Sequence, residues 1–195
     1  DGSLYVNEWY NNQLGNHYYY GQKGEGYSGL HEVDGKTYYF SWGEVCTNQC
    51  VSENGKSYYC DPEGSVSDIS GDGWHQVGDY YFYIKNGQYL SNTVEKIGNS
   101  YYGFDYRGVM YANRDFSIWN FESQMSSDYR AKEDGRLYAN EWYTDEWEVF
   151  YYYGEDGKAY SGLHEIDGKQ YCFSADCRRY QNQSVTVDGK RYYCK

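Results

Sequence analysis

One stretch of this chain occurs twice, and it restricts the fold more than any other feature. Residues 18–41 read YYYGQKGEGYSGLHEVDGKTYYFS, residues 151–174 read YYYGEDGKAYSGLHEIDGKQYCFS, and 17 of the 24 positions are identical. Each copy holds two aromatic runs about 20 residues apart, the second preceded by Asp-Gly-Lys. An Asp-Gly pair between alternating strand-forming residues is a β-hairpin signal, because a type I′ turn needs positive φ at both central positions. A hairpin recurring at such a short period predicts an array. The expected fold is all-β, a solenoid of stacked hairpins.

Aromatic anchors continue along the chain at Tyr19, Tyr39, Tyr59, Tyr81, Tyr102, Tyr129, Tyr152, Cys172 and Tyr193, which makes about nine repeats of roughly 20 residues. Turn pairs precede most of them: Asp34-Gly35, Asn54-Gly55, Gly78-Asp79, Gly98-Asn99, Asp167-Gly168 and Asp188-Gly189. A longer duplication overlies this period, with residues 1–60 matching 134–194. Residues 114–127 (NRDFSIWNFESQMSS runs 113–127) contain no Gly and repeat nothing, so a short helix or irregular joint is expected there. The chain then divides into a hairpin-repeat lobe at 1–113, the joint at 114–127 and a second lobe at 128–195.

Composition narrows the partners. The net charge of −12 argues against nucleic acid and anionic membrane, both of which require a positive face. No apolar run is long enough to span a bilayer. Asp1 reads as a mature start without a leader, and six Cys on a chain with 29 Tyr and one Pro fit disulfides of an exported protein. If Ser174-Ala175 makes a two-residue turn, Cys172 faces Cys177 within bridging range. Cys46 with Cys50 is a weaker local pair, and Cys60 and Cys194 have no evident partner.

The run Gly-Leu-His-Glu-Val-Asp-Gly-Lys-Thr-Tyr-Tyr-Phe at 29–40, in register with its relatives along the chain, resembles the cell-wall-binding and glucan-binding repeats of secreted Firmicutes proteins. These include the C-terminal repeats of streptococcal glucosyltransferases and of large clostridial toxins, with pneumococcal choline-binding modules more distant. The resemblance implies a β-solenoid that binds carbohydrate or choline on exported, Gram-positive-type proteins. Choline-type repeats place Trp after the turn-ending Gly and before the double Tyr. Here those places hold Leu30, Cys50 and Leu163, and Thr37, Ser57 and Gln170, which argues against a quaternary-ammonium box.

Candidate binding residues are those that the duplication keeps beyond what a hairpin needs: Trp9, Tyr20, Tyr27 and His31, repeated at an offset of 133 as Trp142, Tyr153, Tyr160 and His164. Aromatic faces stack on sugar C–H faces, whereas hairpin packing alone accounts for the same rings about as well. His31 and His164 should sit across their hairpins from Tyr38 and Tyr171, with Glu32 and Glu165 on the opposite face, which spoils a catalytic dyad or metal pair. Residues 68–79 place oxygens like a calcium loop, but without flanking helices, so an inter-hairpin loop is the better reading and no metal or cofactor is expected. Nothing singles out a glycosidase carboxylate pair, a Ser-His-Asp set, a phosphate loop or zinc spacing. Repeated sites favour binding over catalysis. The expectation is a non-enzymatic module for glucan or cell-wall polysaccharide. The alternative is a structural or adhesive spacer that meets a protein through its Tyr-rich face.

Overall fold

Turn chemistry organises the chain residue by residue. Asp34, Asn54, Asn86, Asp167 and Asp188 all have φ between 49° and 54°, and the glycine after each has φ between 73° and 76°. Both central positions are therefore left-handed, as a type I′ turn demands. At Gly78-Asp79 and Gly98-Asn99 the glycine comes first and has φ of 57° and 61°, while its neighbour keeps an ordinary φ, which is the type II′ solution. Each turn joins two short strands of mutually facing residues, for example His31 opposite Tyr38 and His164 opposite Tyr171.

The computed structural model describes residues 2–195. Among these the chain is all-β, with many short strands paired as hairpins and no helix. Every sheet is built from strands close in sequence, and none mixes strands of the two copies. A second, recurrent turn links one hairpin to the next: the N–H of Gly24, Gly64, Gly108, Gly135 and Gly157 each donates to the carbonyl three residues earlier at 3.0 Å. The second residue after that glycine pairs back with the residue before the turn, as in the bridges Tyr20–Gly26, Phe104–Met110 and Tyr153–Ala159.

Two compact units result, Asp1–Asn92 with Phe104–Met110, and Thr93–Gly103 with Tyr111–Lys195. In the first, Val33, Phe40 and Val45 form one buried cluster, and Cys50, Tyr59, Ile69, Phe82, Ile84 and Val109 form another. In the second, Phe116, Tyr129, Ala131 and Leu137 are buried together. Tyr59 and Tyr129 supply much of the apolar area of these cores, and burial raises both hydroxyls above their ordinary value.

Three expectations change. The stretch 114–127 is neither helical nor irregular: Arg114–Asn120 and Met125–Ala131 form a regular antiparallel hairpin, paired from Arg114–Ala131 to Asn120–Met125. Phe116 and Ile118 alternate with Asp115 and Ser117, a period-2 pattern hidden by the missing glycine turn. Cys172 does not face Cys177. Residues 174–177 form the recurrent linking turn, with the Cys177 N–H donating to Ser174 O at 3.0 Å and Cys177, at φ 61°, standing where the sister turns have glycine. The carbonyl of Cys172 instead accepts from Tyr180, and all six cysteines are free thiols. Residues 68–79 are a strand end, a turn and the strand Gly73–Val77 rather than a single loop. Asp68 accepts from its own Ser70 N–H and Asp72 from Gly87 N–H. Among the described residues no group of three or more His, Cys, Asp or Glu is placed to hold a metal.

Candidate functional site

The duplicated residues make two matching aromatic clusters, one in each unit. In the first, Trp9 meets Tyr19 and Tyr38 edge-on at 5.1 and 5.2 Å, and Tyr27 stacks on His31 at 4.1 Å, all around the buried Phe40. In the second, Trp142 meets Tyr152 and Tyr171 at 5.0 and 4.9 Å, and Tyr160 stacks on His164 at 3.9 Å, around the buried Phe173. The Nε2 atoms of His31 and His164 lie 3.0 and 2.8 Å from the Ser28 and Ser161 carbonyls, so each imidazole holds its own strand entry. Glu32 and Glu165 are exposed on the far face.

Trp9, Tyr27 and His31 therefore come together, as do Trp142, Tyr160 and His164. Tyr20 and Tyr153 do not join them, because strand alternation sends the ring one residue earlier, Tyr19 or Tyr152, into the cluster. Tyr20 stacks on Tyr5 at 5.7 Å, and Tyr153 is buried against Tyr138 at 5.7 Å. The Trp rings are engaged too. Trp9 donates to Asp34 at 3.3 Å, and the Arg179 guanidinium lies 5.4 Å over Trp142.

A separate site lies within the second unit, a cavity of about 750 Å³. One wall is the hairpin Arg114–Ala131, which contributes Asp115, Ser117, Asp128 and Arg130. The other is the hairpin of Glu141–Thr144 and Phe150–Tyr153, which contributes Tyr143, Asp145, Trp147 and Tyr151. Its polar groups are fixed by one another. Arg130 Nη1 donates to Asp115 Oδ2 at 2.7 Å and its guanidinium lies 3.9 Å over the Tyr143 ring. Ser117 Oγ donates to Asp128 Oδ1 at 2.6 Å, and Tyr151 OH to Asp145 Oδ2 at 3.2 Å. Asp145 also accepts the N–H groups of Trp147 and Val149, which poses the Trp147 ring at 74% exposure on the rim.

Burial works against the charge of Arg130, but the hydrogen bond and charge of Asp115 together outweigh it and lift the guanidinium above its ordinary value. Burial, and then Asp145, pushes the Tyr151 hydroxyl up; burial does the same to Tyr143 and, more strongly, to Tyr153. The site thus presents oriented carboxylate acceptors, hydroxyl donors, a fixed cation and an exposed indole. That combination suits a polyhydroxylated ligand with apolar ring faces.

Sequence reasoning missed this cavity for two reasons. The hairpin supplying Asp115, Asp128 and Arg130 has no counterpart in the first copy. Asp145 and Trp147 stand where the first copy has Asn12 and Leu14, so the departures from the repeat, not its identities, carried the signal.

Fold and site define an all-β hairpin-repeat protein with an acidic, aromatic-walled cavity. No protein-family model matches the chain. It is similar to glucosyltransferase-S of Streptococcus mutans, 27% identical over 167 residues, and to glucosyltransferase-I of Streptococcus downei, 27% identical over 185 residues. The matches cover 85% and 93% of this chain but only 11% of either relative. Among solved structures, CbpJ of Streptococcus pneumoniae overlays 89% of this chain and 58% of its own with a TM-score of 0.49 at 20% identity. Choline binding protein F of the same organism covers 89% and 57%, with a TM-score of 0.49 at 21% identity.

Proposed function

We propose that this chain is a non-catalytic carbohydrate-binding module of an exported protein, with hairpins stacked as a solenoid, that attaches to glucan or cell-wall polysaccharide. The cavity of the second unit is the observation that carries this reading. Trp147 offers a stacking face, and Asp115, Asp128, Arg130 and Asp145 offer oriented partners for sugar hydroxyls. The similarity to two streptococcal glucosyltransferases along most of this chain, yet a small fraction of theirs, supports a module rather than a whole enzyme. The clusters around Trp9, Tyr27 and His31 and around Trp142, Tyr160 and His164 are auxiliary contacts on the same polysaccharide, and several weak contacts on one polymer add through avidity. Choline is disfavoured, because Arg130 and Arg179 already occupy the faces of Tyr143 and Trp142 where an ammonium would sit.

Retention on insoluble α-glucan and on purified cell wall tests the reading. By analogy with base stacking, an aromatic contact contributes on the order of 1–3 kcal/mol, so Trp147→Ala should weaken retention roughly 5- to 150-fold while circular dichroism is unchanged. A folded Trp147→Ala protein retained like the parent moves the site out of the cavity. A parent retained by neither polymer leaves the spacer reading in its place.

A further inference from the structure

Three of the six tryptophans face a tyrosine across their own hairpin: Trp9 faces Tyr19, Trp74 faces Tyr83 and Trp142 faces Tyr152. Each packs edge-on against that ring at 5.0 to 5.1 Å. Trp119 departs from this rule. The residue opposite it is Ser126, too small to cover an indole face, and the next residues on that face, Ser117 and Asp128, are short and polar as well. Among the described residues Trp119 meets no other ring, and it stays 48% exposed. An indole in that position gives the fold little, because much of its apolar area is never removed from water.

Its place on the hairpin suggests what it is for. Strand alternation puts the pairs Asp115–Arg130, Ser117–Asp128 and Trp119–Ser126 on one face, in that order toward the tip. The first two pairs line the cavity of the second unit, and the third lies on the same face just beyond its lining. Residues on one face of a strand follow each other at roughly 7 Å, so Trp119 stands about 7 Å past Ser117 and about 14 Å past Asp115. The cavity wall therefore runs out onto an open shelf that ends in an uncovered aromatic face. The other exposed indole of this unit, Trp147, stands on the cavity itself.

We propose that Trp119 is an outer subsite of the cavity, and that the site binds several consecutive units of a polysaccharide. One sugar occupies the cavity against Trp147 and the fixed carboxylates, and a later unit of the same chain stacks on Trp119. A monosaccharide cannot reach from the Asp115–Arg130 pair to Trp119, so affinity grows with chain length until Trp119 is covered. The site thereby favours intact polymer over its short breakdown products. This inference rests on the carbohydrate reading of the cavity.

Nuclear magnetic resonance titration of the full chain tests it, with α-linked gluco-oligosaccharides and, in parallel, cell-wall glycan oligomers, each in a series of increasing length. The Trp147 indole N–H signal should move with the shortest member that binds, and the Trp119 signal only with longer ones. Trp119→Ala should bind the shortest member as the parent does, lose roughly 5- to 150-fold on the longest, and melt with the parent. Trp147→Ala should lose affinity at every length. A ratio of parent to Trp119→Ala affinity that stays constant along the series overturns the proposal and leaves the carbohydrate reading standing. So does a Trp119 signal unmoved at saturation with the longest member. A parent that binds neither series at any length overturns both.

Discussion

Single residues in this chain act mainly through backbone shape. Gly157, at φ +79°, closes a linking turn, and a Cβ there would lie 3.3 Å from the Tyr138 carbonyl oxygen. Gly157→Ala should therefore cost on the order of 1–2 kcal/mol, read as a lower denaturation midpoint with unchanged slope. Gly103 serves a different end. A methyl there would run into the Phe116 ring, which is stacked between Tyr111 at 4.0 Å and Tyr129 at 5.4 Å. Gly103→Ala should cost about 1–3 kcal/mol by overpacking, and an additional Phe116→Leu change should recover part of the loss. An equal loss in the double variant would show that the ring is not the obstacle. A turn glycine is legible from its neighbours in sequence, but a glycine that makes room for a ring 13 residues later is not.

At the level of elements, strand register decides which side chains meet. The alternation that set Tyr19 rather than Tyr20 beside Trp9 also determines the cysteine neighbours. Burial, and then the adjacent Cys194, pushes the Cys172 thiol up to about 11. Cys172 and Cys194 line the same cavity, whereas the Cys177 sulfur lies 3.9 Å from Asp128 Oδ2. Under oxidised glutathione the first intramolecular bridge should therefore join Cys172 to Cys194. Non-reduced peptide mapping that finds Cys172 with Cys177 first would contradict this register. The two-residue turn on which the Cys172–Cys177 pairing depended is replaced by a four-residue linking turn, after which Arg179 pairs back with Phe173 and donates its N–H to Phe150 O at 2.8 Å, a contact outside the turn residues.

Across the whole molecule, buried hydroxyls and thiols make stability sensitive to alkali. Burial is the leading cause that pushes Cys60 and Tyr59 up to about 12 and Cys177 up to about 11, from ordinary values of 9.0 for the thiols and 10.0 for Tyr. Their folded values lie above their unfolded ones, so the folded state holds these protons more tightly. The stability they support is complete below about pH 9 and is lost as pH rises through 11 to 12. The melting temperature should be level from neutral pH to about 8.5 and fall steadily above it; a flat profile to pH 12 would refute the assignment. The all-β class, the hairpins, their turn types and the facing of His31 with Tyr38 were all legible in the sequence. Each depends on residues within about ten positions of one another, where turn chemistry and strand alternation act without help from the rest of the chain. Residues 114–127 were misread because their turn, with Gln124 rather than glycine at φ 53°, carries no such signature. The candidate site lay beyond local rules altogether. Arg130 over Tyr143, Asp128 beside Cys177 and Trp147 on the rim are brought together by successive hairpins, and only their packing determined that these polar groups share one cavity while Trp9 and Trp142 meet neighbouring rings edge-on.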